Sequence, residues 1–233
     1  MNVVTLEDMA DTKKKILIIG GHGKVALLAT PELVRRGMDV TSLIRNPDQE
    51  PDIEASGSTP LVRDLTSLGV DDWAEVLRGH DVIIWTAGSG GENGAASTYA
   101  IDRDGALASI DGVKKLVENG EPAPRYLMVS YIGSVTHEVG PEDPFYPYAD
   151  SKKTVDEYLV ASGLDYLILA PAELTLEPSR GGEIIANDPA AVDGRKTSRE
   201  LVAQVLVEMS AREQLPEEKF LAFVDGDTPA AQF

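Results

Sequence analysis

Short apolar runs alternate with longer amphipathic segments along most of the chain. The runs predict a strand that begins at Lys15 and six more at residues 39–44, 59–62, 82–86, 126–130, 166–170 and 220–224. Helical periodicity predicts helices at residues 25–36, 71–77, 97–118, 148–161 and 198–210, with Pro31 expected to bend the first of them. Strands and helices that alternate at this length predict an α/β fold, a Rossmann-type doubly wound parallel sheet of about seven strands with helices on both faces.

Two long stretches between these elements, residues 131–147 and 171–196, have no clear period and are rich in proline, glycine and acidic residues. Irregular connections of this length are uncommon in a compact domain unless they cover a site. We therefore expect them to form a small, loop-built rim for a substrate. Residues 1–14 are predicted to be an N-terminal tail, and residues 15–233 a single domain.

The segment KILIIGGHGKVA, residues 15–26, carries the clearest motif. Its spacing fits either Gly21-x-Gly23-x-x-Ala26 or Gly20-x-x-Gly23-x-x-Ala26. In both registers the glycines permit a tight turn, and the first free N–H groups of the following helix face an anion. The motif favours a dinucleotide pyrophosphate site, although glycine-rich turns also occur for structural reasons alone. The residues predicted to form this site are Gly20, Gly21, His22, Gly23, Lys24 and Val25.

The end of the second strand bears on which dinucleotide is bound. An acidic residue about 20 positions after the glycines would bind the ribose 2′-hydroxyl of NAD. This strand ends instead at Arg45, whose guanidinium suits a 2′-phosphate through charge-assisted hydrogen bonds. We therefore predict NADP as the cofactor in preference to NAD. The alternative is that Arg45 is merely solvated and that Asn46 or Asp48 reaches the ribose.

Later strand ends supply further candidates for the same site. Asp64, followed by Leu65, comes after the third strand and is expected either to accept a hydrogen bond from the adenine amino group or to cap a turn. Thr86, Ala87 and Gly88 end the fourth strand, where small residues let a ribose pass close to the backbone. An ordinary glycine turn is the alternative there.

Tyr148 and Lys152 form the candidate reactive pair. Their four-residue spacing at the start of an amphipathic helix places phenol and ammonium on one face. The adjacent cation is expected to lower the tyrosine pKa from about 10, so that Tyr148 acts as general acid or base during hydride transfer. Ser130, at the end of the fifth strand, is the candidate donor to the substrate oxygen. A chance tyrosine–lysine pair and a serine that only satisfies the strand end are the alternatives.

The order of these motifs resembles the short-chain dehydrogenase/reductase superfamily. The segments GGHGKVA, SLIRN, RDL, RYLMVS, YADSK and SGLDYLILAP are most similar to its atypical branch, the NAD(P)H-binding or NAD-dependent epimerase/dehydratase-like proteins, which has NmrA-like members. The resemblance covers about residues 15–227. It implies a seven-stranded sheet, a nicotinamide dinucleotide and a catalytic trio of Ser130, Tyr148 and Lys152.

The chain departs from that pattern at the substrate end. Relatives commonly have Arg-Pro-Gly after the sixth strand, where this chain has Ala170, Pro171 and Ala172. Compared with these relatives, the chain therefore lacks a cation and a flexible residue near the nicotinamide end of the site. Pro171 remains a candidate cofactor contact there. Relatives also often have a second hydroxyl residue directly after the fifth-strand serine, and here Ser134 is the next candidate, as the alternative to Ser130.

Composition narrows the range of partners. The 39 acidic and 21 basic residues give a net charge of −18, which disfavours nucleic acid and anionic membrane surfaces. The chain has no cysteine, and His22, His80 and His137 lack ligand spacing, so no metal site is predicted. No apolar run is long enough to span a membrane. We expect a cytoplasmic protein that acts on a small molecule, and the sequence does not indicate its oligomeric state.

Three functions fit these features. The first is hydride transfer between NADP(H) and a small carbonyl or alcohol, favoured by Arg45 and by the pairing of Tyr148 with Lys152. The second is an NAD-dependent epimerase or dehydratase acting on a nucleotide sugar, although little chain follows Pro171 to build its large substrate site beyond a lid at residues 175–195. The third is a non-catalytic NADP-sensing regulator, in which the tyrosine and lysine hold the nicotinamide ribose without turnover.

Overall fold

An eight-stranded sheet forms the centre of the protein, whose computed structural model describes residues 13–90 and 94–233. The predicted tail therefore lies outside the described residues as far as residue 12. The strands of this sheet are β1 (Lys15–Ile19), β2 (Asp39–Ile44), β3 (Thr59–Val62), β4 (Val82–Trp85), β5 (Arg125–Val129), β6 (Tyr166–Pro171), β8 (Gly182–Ile184) and β10 (Phe220–Asp225). A separate pair joins β7 (Leu174–Thr175) to β9 (Thr197–Ser198).

The order of the large sheet is β3-β2-β1-β4-β5-β6-β10-β8. Neighbouring strands from β3 to β10 are parallel, and only the described edge strand β8 runs antiparallel, against β10. The predicted Rossmann-type parallel sheet is confirmed, with one antiparallel edge strand added. A three-residue edge strand has too few positions to show a period, which is why the sequence pattern did not reveal β8.

Helices cover both faces of this sheet. They are α1 (Lys24–Arg35), α2 (Glu50–Ala55), α3 (Val70–Leu77), α4 (Gly94–Thr98), α5 (Ala106–Glu118), α6 (Tyr146–Val160) and α7 (Arg199–Ala211). A π-helical segment, Tyr99–Gly105, joins α4 to α5 within the predicted helix 97–118. Pro31 lies inside α1 without ending it, since the helix continues to Arg35.

Two apolar layers, one on each face of the sheet, hold the helices in place. α1 and α7 pack together on one face, while α3, α5 and α6 form the other layer. Within β1, Ile16 and Ile18 belong to the first layer, and Leu17 and Ile19 belong to the second. Because both faces of the strand are buried, its sequence is continuously apolar rather than alternating.

The strand order places a topological switch point between β1 and β4. The chain leaves β1 toward β2 and β3 on one side, and leaves β4 toward β5, β6 and β10 on the other. Ligands of open α/β sheets bind beside the carboxyl ends of the strands at this point. The hydroxyl of Thr86, just after β4, donates a hydrogen bond to the carbonyl of Ile19 at the end of β1 (3.0 Å). These two ends are therefore held together at the edge where a ligand would enter.

Candidate functional site

The glycine loop connects β1 to α1 with almost no space for side chains. Gly20 has φ +86°, and a Cβ there would lie 2.7 Å from the Ala87 backbone. A Cβ on Gly21 would lie 2.5 Å from the Ser42 Cβ. Gly23 is the N-cap of α1, where no side chain caps the helix and no acidic residue occupies its first turn. The positive end of α1 is thus left open toward the crevice, as anion binding requires.

Replacing Gly21 with alanine is expected to destabilise the fold by about 2 kcal/mol, because the new methyl group would overlap a buried side chain and strain the core. Gly140→Ala is the matched control, since a Cβ there meets nothing within 4 Å. Urea unfolding of both variants measures the difference. Equal stability of the two variants would show that the loop can accommodate a methyl group at Gly21, which would contradict the predicted overlap.

A first cavity, of about 590 Å³, lies beside the glycine loop. Arg63, Gln49 and Ser89 line it and were not predicted from the sequence. Asn46 does not line it, because its side chain accepts a hydrogen bond from the Asp48 N–H (3.1 Å) and caps a short turn. The predicted residues that do line it are Gly20, Gly21, His22, Gly23, Lys24, Arg45, Asp64, Leu65, Thr86, Ala87 and Gly88.

Three cations in this cavity have no ion-pair partner among the described residues. They are Lys24, Arg45 and Arg63, which follow β1, β2 and β3 in turn. Unpaired cations gathered at one strand edge create a positive potential that favours an anionic ligand.

Two predicted contacts in the first cavity already have protein partners. The Nε2 of the His22 ring lies 2.8 Å from a carboxylate oxygen of Asp52. Asp64 accepts hydrogen bonds from the N–H and hydroxyl of Thr66 (3.0 and 2.7 Å), which together lower the pKa of its carboxyl. Asp64 therefore caps a turn, the second of the two roles expected for it.

A second cavity, of about 580 Å³, continues from the first and shares Gly23, Lys24 and the end of β4 with it. Val25, Tyr148 and Lys152 line this second cavity, so the structure brings the predicted reactive pair next to the glycine loop. Lys152 is buried, and its ammonium donates a hydrogen bond to the Val129 carbonyl (2.7 Å). The same ammonium lies 5.9 Å from the centre of the Tyr148 ring.

The expectation of a lowered tyrosine pKa is wrong. The pKa of Tyr148 is raised well above its ordinary value, first by burial and then by the negative charges of Asp102 and Asp156. Burial also lowers the pKa of Lys152, against the raising effect of the same two carboxylates. Sequence spacing identified the cation beside the phenol but not the two buried carboxylates. A phenol in this environment stays protonated at neutral pH and is suited to donate a proton.

Asp156 lies one helical turn beyond Lys152 and is fully buried. Its Oδ2 accepts hydrogen bonds from the hydroxyls of both Ser130 and Ser134, the latter at 2.6 Å. Because a serine hydroxyl has a single proton, neither serine has one free for a substrate oxygen while this carboxylate accepts both. Burial raises the Asp156 pKa to about 6, although Lys152 and the two serines act against that rise. The two alternative serines thus belong to one hydrogen-bonded cluster.

A third cavity, of about 480 Å³, opens on the far side of Tyr148. Ser130 and Pro171 line it, so neither lies in the cavity that holds Lys152. The rings of Tyr131, Phe145 and Tyr148 pack against one another in its wall, with ring centres 5.3 to 5.7 Å apart. Both of the stretches predicted to form a rim contribute to its walls. The geometry suits a small, largely apolar molecule whose reacting group is held beside the Tyr148 hydroxyl.

In residues 13–90 and 94–233, no three or more histidine, aspartate or glutamate side chains form a group that could hold a metal ion. The same residues contain no helix that is both long enough and apolar enough to cross a membrane.

The open α/β sheet, the uncapped glycine loop and the cavities at the switch point together define a Rossmann-type nucleotide-binding protein. Residues 20–213 match the model of the NAD(P)H-binding family. The chain is also 31% identical over 225 residues to YhfK of Bacillus subtilis (strain 168), described as an uncharacterized sugar epimerase, which covers 94% of this chain and 97% of that protein.

Solved structures show the same relationship. A Bacillus halodurans protein provisionally named an NAD-dependent epimerase/dehydratase superposes with a TM-score of 0.82 at 29% identity, covering 94% of this chain and 97% of its own. The oxidoreductase ylbE of Lactococcus lactis shares the fold, with a TM-score of 0.74 at 23% identity over 94% of each chain. The chain belongs to the NAD(P)H-binding family, within the epimerase/dehydratase-like Rossmann proteins, as its sequence motifs indicated.

Proposed function

We propose that this protein is an NADP(H)-dependent oxidoreductase that transfers hydride between the cofactor and a small carbonyl or alcohol. The observation that carries the proposal is the unpaired charge of Arg45 and Arg63 at the adenosine end of a crevice that leads directly to Tyr148 and Lys152. NAD offers these two guanidinium groups only a neutral hydroxyl, whereas NADP offers a phosphate.

The residues present fit a nicotinamide dinucleotide. The open N-terminus of α1 after Gly23 suits the pyrophosphate, and Arg45 and Arg63 suit the 2′-phosphate. At the other end, the Lys152 ammonium donates to the Val129 carbonyl and the Met128 sulfur, and its third N–H suits a ribose hydroxyl. When bound, the nicotinamide ring supplies or accepts the hydride.

Tyr148 supplies the proton. Its hydroxyl has no hydrogen-bond partner among the described residues, and its raised pKa keeps it protonated at neutral pH. In the reduction direction Tyr148 donates this proton to the substrate oxygen as negative charge develops there. Lys152 then lies close enough to stabilise the phenolate that remains. The protonation state of Tyr148 therefore favours carbonyl reduction over alcohol oxidation near neutral pH.

Arg199 is a further cation that the sequence analysis missed. It lies at the start of α7 and lines the second cavity beside Tyr148. One guanidinium nitrogen donates to the Leu174 carbonyl (3.1 Å), and no acidic side chain among the described residues pairs with it. A substrate with a carboxylate or phosphate would bind there more favourably than a neutral one.

A nucleotide-sugar epimerase or dehydratase is the second candidate. Its support is the naming of two similar proteins, from Bacillus subtilis and Bacillus halodurans. Such an enzyme keeps one NAD through its catalytic cycle, so NADH should bind at least as tightly as NADPH, and binding should not depend on Arg45. Cofactor preference therefore separates the two candidates before any substrate is known.

Replacing Arg45 with glutamine is expected to weaken NADPH binding about tenfold and to leave NADH binding unchanged, because one charge-assisted contact to the 2′-phosphate is lost. Titration followed by nicotinamide fluorescence measures both affinities. Arg180→Gln is the matched control, because Arg180 is exposed and lies away from the crevice. The proposal fails if wild type prefers NADH, or if the Arg45 and Arg180 variants bind NADPH equally well.

A further inference from the structure

Asp102, in the π-helical segment between α4 and α5, is the one acidic residue among the described residues that line the second cavity. It is 1% exposed. Its Oδ2 accepts a hydrogen bond from the Ser89 N–H (2.9 Å). Its Oδ1 is buried and has no hydrogen-bond partner among the described residues. A buried oxygen of this kind normally has a partner, and one without is costly to keep.

The Lys152 ammonium, a candidate partner for this oxygen, is bonded elsewhere. Asp102 acts on Lys152 and Tyr148 through its charge, raising the pKa of both. Yet Lys152 forms no ion pair with it within 4.0 Å and donates to the Val129 carbonyl instead. The cavity thus places an unsatisfied acceptor near an ammonium that keeps one N–H donor beyond those bonded to the Val129 carbonyl and the Met128 sulfur. A hydroxyl group, which both accepts and donates, satisfies the two together.

Gly88 shows that the unpartnered oxygen lies at the wall of the crevice. A Cβ on Gly88 would lie 2.9 Å from Oδ1 of Asp102, with no other atom in between. Gly88 also lines both the first and the second cavity. Only the bare glycine backbone leaves space for the carboxylate to reach this position. The oxygen therefore lies next to a stretch of backbone that lines both cavities.

We propose that Asp102 is a ligand-binding residue, whose Oδ1 accepts a hydrogen bond from one hydroxyl of a bound diol while Lys152 donates to the diol from its other side. The diol comes either from the ribose next to the nicotinamide ring or from a hydroxylated substrate. The ribose source rests on the proposed function. A buried carboxylate makes this hydrogen bond charge-assisted and shields it from water, which strengthens it.

Asp102→Asn tests the proposal, because it keeps an oxygen for the Ser89 N–H and places an amide donor where the acceptor was. Asp104→Asn is the matched control, since it removes the same charge from the same segment at an exposed position that is paired with Arg103. Calorimetry with adenosine 2′,5′-bisphosphate, which lacks the nicotinamide ribose, shows whether each variant retains a folded crevice.

Two probes then distinguish the sources. NADPH binding weakened at least tenfold in Asp102→Asn, with bisphosphate binding unchanged, identifies the cofactor ribose as the diol. Unchanged NADPH binding, with loss of methyl α-D-glucoside binding to the NADPH-saturated protein, identifies a hydroxylated substrate. The inference is overturned if Asp102→Asn and Asp104→Asn behave alike with both probes. Failure of wild type to bind the bisphosphate would instead reject the proposed cofactor.

Discussion

Replacing Tyr148 with phenylalanine is expected to lower kcat for NADPH-dependent carbonyl reduction by roughly 10²- to 10⁴-fold, the usual contribution of a positioned general acid. The phenylalanine ring keeps its stacking with Tyr131 and Phe145 but has no proton to give. NADPH affinity should fall much less, because its main anionic contacts lie at the glycine loop and at Arg45. NADPH oxidation against a panel of small aldehydes and ketones measures the rate, and fluorescence titration measures the affinity.

Tyr146→Phe is the control for this experiment. Tyr146 lies two residues earlier on α6, outside the cavities described. Its hydroxyl donates one long hydrogen bond, to the Asp150 carboxylate (3.4 Å). Removing the Tyr146 hydroxyl should leave the rate of carbonyl reduction within about a factor of two of the wild-type rate. Equal rates for the Tyr148 and Tyr146 variants would exclude Tyr148 as the proton donor. If the wild-type protein binds NADPH but reduces no carbonyl in the panel, the result would favour a non-catalytic NADP-sensing regulator.

The fold could be predicted from the sequence because its central strands are buried on both faces. β4 is apolar throughout and β1 is apolar from Ile16 to Ile19, and the glycines after β1 mark the turn into α1. The missed elements lack such signals. α2 is a six-residue helix with a proline in its first turn, and β7 and β9 have two residues each. None of the three is long enough to show a hydrophobic period. The positions of β7 and β9 depend on their pairing with each other across an irregular stretch of chain.

The candidate site was only partly predictable, for an electrostatic reason. Sequence order places Arg45, Tyr148 and Lys152 at the ends of known elements, and the structure brings the last two to one cavity. The pKa of Tyr148 depends instead on burial and on Asp102, which lies 46 positions earlier in the chain. Asp156 is different, because its i,i+4 spacing from Lys152 on a helix was a local signal that could have been used.

Replacing Asp156 with asparagine is expected to raise the free energy of unfolding relative to wild type by an amount that grows as the pH rises from 4 to 7. Burial raises the Asp156 pKa from 3.8 to about 6, so between these values the folded protein holds a proton that the unfolded chain has lost. The free energy of unfolding contributed by this group therefore falls as pH increases through that window, by about 3 kcal/mol in total. Asparagine stays neutral and retains an oxygen that Ser130 and Ser134 can share.

Urea unfolding of wild type and Asp156→Asn at pH 4, 5, 6 and 7 measures this effect as a difference between the two proteins. Contributions from titrating groups that do not interact with Asp156 cancel in that difference, as does any fixed cost of the substitution itself. Glu157→Gln, an exposed acidic neighbour on α6, should show no comparable trend. A difference between wild type and Asp156→Asn that stays constant with pH would mean that the carboxylate is ionised throughout. Ser130 and Ser134 would then be permanently engaged as donors, and the substrate oxygen would depend on Tyr148 alone for its proton.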